Sequence, residues 1–235
     1  MTFPPQELDC PDSPACPVLA EAELPPLPAA IVPAGIPLFR CYDGTWGYDE
    51  PNPGYGDARF SPFDSPSGHR LPTLYLGDTP LAALLETVFH DVHHTSSRLV
   101  FDTALRNNLL AHVRLPSDLR LADLRDPVLD DLGLERSQIV SSPSEHYPCT
   151  RRLARQICEI GAGRDRVDGI LWHSRQAELH GGGPAEVMVV FADRYDPGRG
   201  GWTRVGPGSQ NLYEGPGRLV VEQIAVDINA TIVTP

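Results

Sequence analysis

The sequence contains no lysine, so all 19 of its basic residues are arginine. Arginine often indicates bidentate recognition of phosphate or carboxylate groups, but a chain with no other cation also uses it for ordinary surface charge. The 31 acidic residues outnumber the basic ones and leave a formal net charge of −12. This balance argues against nonspecific binding to nucleic acids or anionic membranes, which requires a basic surface. It does not exclude a small anionic ligand held by local arginines.

Cysteine pairs with metal-binding or redox spacing are also missing. The five cysteines are an odd number and include no Cys-x-x-Cys motif, so we expect free thiols in a reducing cytoplasm. No apolar run approaches the length of about 18 residues that a membrane span needs. The N-terminus also lacks the basic region and apolar core of a secretory signal. The sequence therefore predicts neither a membrane partner nor secretion.

Proline is concentrated near the N-terminus, where residues 1–35 combine it with acidic residues. Such a segment buries too little apolar surface to offset its ordering entropy. We interpret it as an extended arm, with the folded domain beginning near Ile36. The remaining residues, 36–235, are long enough for one substantial domain. We expect its core to span about 38–194 and a C-terminal extension to follow over 197–235.

Strands and helices are interspersed without a regular βαβ rhythm, which predicts an α+β fold. Residues 43–72 are dense in Gly, Pro, Asp and Ser and predict a long loop, a kind of segment that is often functional. A helix is predicted from Thr79 to about His94, because Thr79 suits the cap, Pro80 suits the first turn and apolar residues recur at helical spacing. Further helices are predicted at Thr150–Ile160 and from Pro127, and strands at Ser97–Phe101, Leu109–Leu115, Gly169–His173, Val187–Phe191 and Arg218–Val226.

Five polar residues are candidates for a site. Glu86 lies on the polar flank of the predicted helix, about 130° from the centre of its apolar stripe at about 100° per residue. Tyr75 belongs to a short apolar strand, Ser174 follows a buried strand, and Arg40 and Arg59 stand near turns. Each residue also has an ordinary structural interpretation: a solvated acid, a core tyrosine, a turn serine and two arginines that brace loops.

The order of these residues resembles the RES domain, a family named for its Arg, Glu and Ser. The resemblance runs from about Leu38 to Arg194. His173 departs from the pattern, because relatives more often carry proline there. The matching motifs are Arg40, Arg59-Phe60-Ser61, Leu74-Tyr75-Leu76, Ala83-Leu84-Leu85-Glu86 and Gly169-Ile170-Leu171-Trp172-His173-Ser174.

The resemblance implies a bacterial toxin of a toxin–antitoxin pair, neutralised by an Xre-type helix-turn-helix partner. It implies a fold similar to that of ADP-ribosyltransferases, with a split, curved sheet flanked by short helices. The implied reaction is cleavage of the nicotinamide–ribose bond of NAD, so NAD is a substrate, inorganic phosphate is an optional co-substrate, and no metal or other cofactor is expected. The sequence does not choose among phosphate, water and protein as the acceptor. An ADP-ribosyltransferase of a specific protein and a non-catalytic partner-binding domain stay as alternatives.

The resemblance also implies residue roles. Glu86 would stabilise the positive charge that develops on the ribose or orient the nucleophile, as in glycoside hydrolysis. Arg40 and Arg59 would hold the diphosphate or a ribose through forked donors. Tyr75 would stack on nicotinamide or bond a ribose, and Ser174 would fix the nicotinamide ribose or the departing amide. The predicted catalytic set is therefore Glu86, Arg40 and Ser174.

Three other features receive weaker interpretations. The residues His90, His93 and His94 have a metal-capable spacing, but no further ligand cluster follows and we predict a polar helix face. The run His180-Gly181-Gly182-Gly183 resembles the oxyanion loop of esterases, whose Gly-x-Ser-x-Gly elbow is missing here. The arm and the C-terminal extension are left as contacts for an antitoxin or for a second copy of the chain.

Overall fold

The computed structural model describes residues 27–65, 67–90, 92, 96–160, 166–178, 184–195 and 201–234. The strands in these ranges are β1 (Ala29–Val32), β2 (Pro37–Asp43), β3 (Thr73–Gly77), β4 (Leu99–Phe101), β5 (Asn108–Arg114), β6 (Leu119–Asp123), β7 (Gly169–His173), β8 (Glu186–Phe191), β9 (Thr203–Arg204), β10 (Gln210–Asn211) and β11 (Thr231–Val233). The α-helices there are α1 (Pro80–Leu85), α2 (Val128–Asp131), α3 (Tyr147–Glu159), α4 (Arg175–Glu178) and α5 (Gly215–Asp227).

Nine strands form one mixed sheet in the order β1-β6-β7-β8-β3-β2-β5-β10, with β9 also pairing with β5. Strands β11 and β4 form a separate parallel ribbon. In the large sheet the pair β6–β7 is parallel and the neighbouring pairs are antiparallel. This topology, with short helices on a curved sheet, confirms the predicted α+β class.

The sheet is split between its neighbouring strands β2 and β3. These strands are in register only at Phe39 and Gly77. By contrast, β2 follows β5 from Pro37 to Asp43, and β3 follows β8 over its whole length. The two strands therefore diverge beyond their single paired position. A cleft opens between them toward Asp43 and Thr73.

Both faces of the sheet are covered. Side chains alternate along each strand, so Leu74 and Leu76 of β3 belong to one buried cluster while Tyr75 packs against the other. The cluster on the Tyr75 face includes helices α1, α3 and α5 and the fully buried Trp172. Burial on both faces explains why β8 reads as a continuous apolar run rather than an alternating one.

Helix α1 begins as predicted but is much shorter. Thr79 caps it by accepting a hydrogen bond from the Ala82 N–H at 3.1 Å. The predicted extension to His94 is wrong for the described residues, because the α-helix ends at Leu85. The Thr87 hydroxyl bonds back to a helix carbonyl, and turns follow instead of further helix. Glu86 consequently lies at the end of the helix rather than on its flank.

The C-terminal segment Arg218–Val226 is helical, so its prediction as a strand was wrong. Its buried residues Val221, Ile224, Ala225 and Ile228 recur at helical spacing. That periodicity is typical of a helix packed on one face. Helix α3 confirms the helix predicted over Thr150–Ile160 but begins one turn earlier.

The N-terminal part of the chain joins the sheet earlier than Ile36. Strand β1 lies inside the segment 1–35 that we assign to the arm, and it pairs with β6 at the edge of the large sheet. Val32 is buried there, so part of the segment contributes apolar surface to the core. Residues 1–26 of the arm lie outside the described residues, and the division into arm and domain stays a prediction.

Two kinds of feature are missing from the described part of the chain. No helix in it is both long enough and apolar enough to cross a membrane. No group of three or more His, Cys, Asp and Glu side chains in it is placed to hold a metal ion.

Candidate active site

A cavity of about 940 Å³ opens where β2 and β3 diverge. Both strands, the loop that follows β2 and the end of helix α1 contribute to its wall. It therefore joins segments that lie far apart in the sequence. The lining residues are Arg40, Cys41, Tyr42, Asp43, Thr45, Trp46, Asn52, Tyr55, Gly56, Asp57, Ala58, Ser61, Thr73, Tyr75, Glu86 and Thr87.

Glu86 and Ser174 form a direct pair. The Ser174 hydroxyl donates a hydrogen bond to Glu86 Oε1 at 2.8 Å. Ser174 is fully buried at the end of β7, where its N–H bonds the Ala185 carbonyl of the adjacent segment. Glu86 is only partly buried and lines the cavity. Ser174 thus holds the carboxylate from behind, and of the two residues Glu86 is the one that lines the cavity.

Tyr75 stands beside this pair on β3. Its hydroxyl accepts hydrogen bonds from the Phe60 N–H at 3.1 Å and from the Ser61 hydroxyl at 3.4 Å. Burial raises the pKa of Tyr75 to about 12, and the charge of Glu86 acts in the same direction. The phenol is therefore neutral at physiological pH and keeps its own proton as a hydrogen-bond donor.

Arg40 lines the cavity but also braces the loop that follows β2. Its guanidinium donates to the backbone carbonyls of Gly47, Tyr48 and Glu50 at 3.0, 2.5 and 2.5 Å. These bonds use three of the five N–H groups that an arginine carries. Burial lowers the pKa of Arg40 to about 10, which still leaves it charged at neutral pH. Arg40 therefore lies at the site, as predicted, and it also braces a loop, which was its ordinary structural interpretation.

Arg59 lines a smaller cavity of about 180 Å³ that shares Tyr75 and Glu86 with the larger one. Its Nη1 bonds the Ile139 carbonyl at 2.9 Å and the Ser142 carbonyl at 3.0 Å. It also bonds the Ser142 hydroxyl at 2.6 Å. Arg59 is thus placed at the site, yet its described hydrogen bonds go to the 139–142 segment.

Four of the five candidate residues therefore line two adjoining cavities, and the fifth, Ser174, bonds one of the four. Their predicted roles in chemistry stay predictions. Of the histidines with metal-capable spacing, His90 lines the smaller cavity. His93, His94 and the run 180–183 lie outside the described residues.

Gly77 fixes the corner between β3 and helix α1. A Cβ atom at this position would lie 2.6 Å from the Ala83 backbone nitrogen and 3.0 Å from the Ala82 Cβ. Only glycine therefore lets the first turn of α1 pack directly on the strand. This close approach sets the position of the helix that ends at Glu86.

Several lining residues escaped the sequence reasoning. Trp46 and Tyr55 stack on each other in the long loop, with ring centroids 6.1 Å apart. Tyr147 lines the smaller cavity, and the Arg59 guanidinium lies 5.1 Å from its ring centroid. Pro148, in the first turn of α3, was a signal that the helix starts near Tyr147 rather than Thr150. No comparable signal singled out Trp46 or Tyr55.

Comparisons with known proteins agree with this architecture. The fold is similar to that of a chain in the crystal structure of the M. tuberculosis MbcT–MbcA toxin–antitoxin complex, with a TM-score of 0.52 and 20% sequence identity. The similarity covers 83% of this chain and 92% of that one. A comparison with curated proteins gave no match. Residues 37–198 match the RES domain; because this match covers more than half of the 235 residues, the chain belongs to the RES domain family.

Proposed function

We propose that this protein is the toxin of a toxin–antitoxin pair and that it cleaves the nicotinamide–ribose bond of NAD, with phosphate or water as acceptor. The observation that carries the proposal is the Glu86 carboxylate, held by Ser174 and facing a cavity that Tyr75 and Arg40 also line. A fixed acid, a neutral phenol and a permanent cation suit a ligand with a scissile glycosidic bond, a planar ring and a diphosphate.

The acid supplies the chemistry. Departure of nicotinamide leaves positive charge on the ribose, as in the oxocarbenium-like transition states of glycoside hydrolysis. A carboxylate about 4 Å from that charge, at an effective dielectric constant near 20, contributes about 4 kcal/mol. This corresponds to roughly a thousandfold in rate. The Ser174 bond keeps Glu86 oriented before the charge develops, so little reorganisation is needed.

The cavity has the size that such a substrate needs. Its volume of about 940 Å³ lies near the upper end of the range of roughly 300–1,000 Å³ for small-molecule sites. Arg40 would contact the diphosphate through the two N–H groups that its described backbone bonds leave over. Tyr75, which keeps its proton, would donate to a ribose hydroxyl or to the nicotinamide amide.

The toxin assignment rests on family membership and on the fold shared with the MbcT–MbcA toxin–antitoxin complex. We propose an Xre-type helix-turn-helix antitoxin as the partner. An antitoxin that blocks the cleft would meet Arg40 or Arg59 with an acidic side chain or a C-terminal carboxylate. A structure of the complex that leaves the cleft open would contradict this mode of inhibition.

The decisive experiment is incubation of the purified protein with NAD, with and without phosphate, followed by product analysis. Nicotinamide should be released only with phosphate present if phosphate is the acceptor, and in both cases if water is the acceptor. ADP-ribose-1″-phosphate identifies phosphate as the acceptor, and free ADP-ribose identifies water. Glu86→Gln should lower the rate of release about a thousandfold. Absence of release by the folded wild-type protein, or an undiminished rate in the Glu86→Gln variant, would overturn the assignment.

A further inference from the structure

The aromatic pair Trp46 and Tyr55 has no part in the chemistry proposed above. The two rings are offset-stacked, with an interplanar angle of 29°, and both line the larger cavity. Tyr55 is 52% exposed, and Trp46 is only partly buried. A stacked pair at a cavity wall that keeps aromatic surface accessible is suited to binding another flat ring.

The protein holds both rings in place through their backbones. Arg40 bonds the carbonyls of Gly47 and Tyr48, directly after Trp46. The Asn52 side chain accepts from the Tyr55 N–H at 2.8 Å and donates to the Tyr55 carbonyl at 3.0 Å. The stack is therefore preorganised, which lowers the ordering cost of binding.

The charge around the pair selects the kind of ring. The carboxylates on the Trp46 loop are turned to their own backbone, with Asp43 accepting from Thr45 N–H at 2.8 Å and Glu50 accepting from Gly47 N–H at 3.0 Å. These acids disfavour a phosphate at this position. An uncharged heteroaromatic base, by contrast, stacks on aromatic side chains without needing a counter-charge.

The pair differs from Glu86 and Tyr75 in which cavities it lines. Glu86 and Tyr75 line both cavities, whereas Trp46 and Tyr55 are not among the described residues that line the smaller one. Arg40 also lines the larger cavity, and it belongs to strand β2, which leads into the loop that carries Trp46. One extended dinucleotide would thus meet an acid with one end and an aromatic stack with the other.

We infer that Trp46 and Tyr55 form the nucleobase subsite of this cleft and bind the adenine ring of the substrate. The inference rests on the proposed function, which it deepens by naming the residues for the end of NAD that does not react. Trp46 would provide the larger stacking surface, and Tyr55 would support its ring from the other side.

The test is calorimetric binding of AMP, a probe that carries the base but no scissile nicotinamide bond. Trp46→Ala should weaken AMP binding about 5- to 150-fold, the range expected from loss of one base-stacking contact, and Trp46→Phe should restore most of it. Tyr55→Ala should have a smaller effect. Tyr213→Ala is the matched control, because Tyr213 is also an exposed tyrosine but is not among the residues that line the cavity; it should leave AMP affinity unchanged.

Kinetics give a second readout. Trp46→Ala should raise the KM for NAD much more than the KM for nicotinamide mononucleotide, which keeps the scissile bond but lacks the adenosine end. Absence of AMP binding by the wild-type protein, equal AMP affinity in wild type and Trp46→Ala, or equal KM changes for the two substrates would each overturn the subsite. Loss of AMP binding in Trp46→Ala without any NAD cleavage by the wild type would instead overturn the proposed reaction and leave the subsite standing.

Discussion

The two sides of the larger cavity are built differently. Its floor, defined here as Tyr75 and Glu86 with Ser174 behind Glu86, stands on β3, the end of α1 and the end of β7, whose backbones are fixed by the sheet and by helix packing. Its loop wall, residues 44–60, has little regular structure and is held mainly by side chains that bond backbone groups, among them Arg40 and Asn52. Floor substitutions should therefore change the reaction rate with little loss of stability, whereas substitutions of the bracing residues should change both.

The largest expected effect is on the floor. Glu86→Gln keeps the size of the side chain but removes its charge, so nicotinamide release should fall about a thousandfold. The free energy of unfolding, measured in urea, should change by less than about 1 kcal/mol, because Glu86 is only partly buried. Glu222→Gln is the control, since it removes an exposed helical carboxylate that pairs with Arg218; its rate should equal that of the wild type.

At Arg59 we expect the main effect of a substitution to be on stability, because this side chain holds a backbone segment in place. Arg59→Ala removes the guanidinium donor from the buried carbonyls of Ile139 and Ser142, and the Ile139 carbonyl keeps only the bond from the Ser142 hydroxyl among its described side-chain bonds. The free energy of unfolding should fall by about 3 kcal/mol, because loss of charged hydrogen bonds at buried sites is costly. Ser142→Ala, which removes the hydroxyl that accepts from Arg59 and donates to the Ile139 carbonyl, should cost about 1 kcal/mol. An Arg59→Ala variant with wild-type stability in urea denaturation would contradict the bracing role.

A smaller effect on rate is expected at Ser174. Ser174→Ala removes the bond that orients Glu86 but leaves the carboxylate in the cavity, so the rate of nicotinamide release should fall about tenfold. Ser137→Ala is a matched control, because the Ser137 hydroxyl also donates to a carboxylate, that of Glu135, at an exposed position. Single-turnover kinetics should show the change in the chemical step; a change only in substrate affinity would indicate that Ser174 contacts the ligand instead.

The smallest effect concerns pH and Tyr75. Its pKa is raised from 10 to about 12 in the folded protein, so the unfolded chain releases this proton first. The resulting stability is fully present below pH 10 and is lost as the pH rises from 10 to 12. The free energy of unfolding, measured in urea, should therefore decrease less between pH 9 and pH 11 in Tyr75→Phe than in the wild type. An equal decrease in the free energy of unfolding in the two proteins would contradict the raised pKa of Tyr75.

The two sides of the cavity also differ in how far the sequence predicted them. Tyr75, Glu86 and Ser174 were identified as an ordered set through the resemblance to the RES domain, and the sequence patterns placed them on short apolar strands and a capped helix. The hydrogen bond between Glu86 and Ser174 was not predictable, since it joins positions 88 residues apart and depends on the tertiary arrangement of α1 and β7.

The loop wall was predicted only as a loop of functional character. Its shape depends on Arg40, whose guanidinium bonds carbonyls seven to ten residues further along the chain. Such a bond cannot be predicted from hydrophobic periodicity or from the composition of turns. The sequence left ligand binding and loop bracing open as two interpretations of Arg40 and Arg59, and the structure shows that both residues hold backbone segments in place. In a chain without lysine, the residue type could not separate the two uses.

Gly77 is not among the residues that line the cavity, yet its lack of a side chain influences the proposed reaction. Any side chain there would push the first turn of α1 off the strand, and the displacement would travel along six residues of rigid helix to the acid at its far end. Misplacement of a reacting group by about 1 Å is enough to cost roughly a hundredfold in rate. A deep mutational scan that selects for toxicity should therefore tolerate almost no replacement at Gly77, while nearby surface positions accept most replacements.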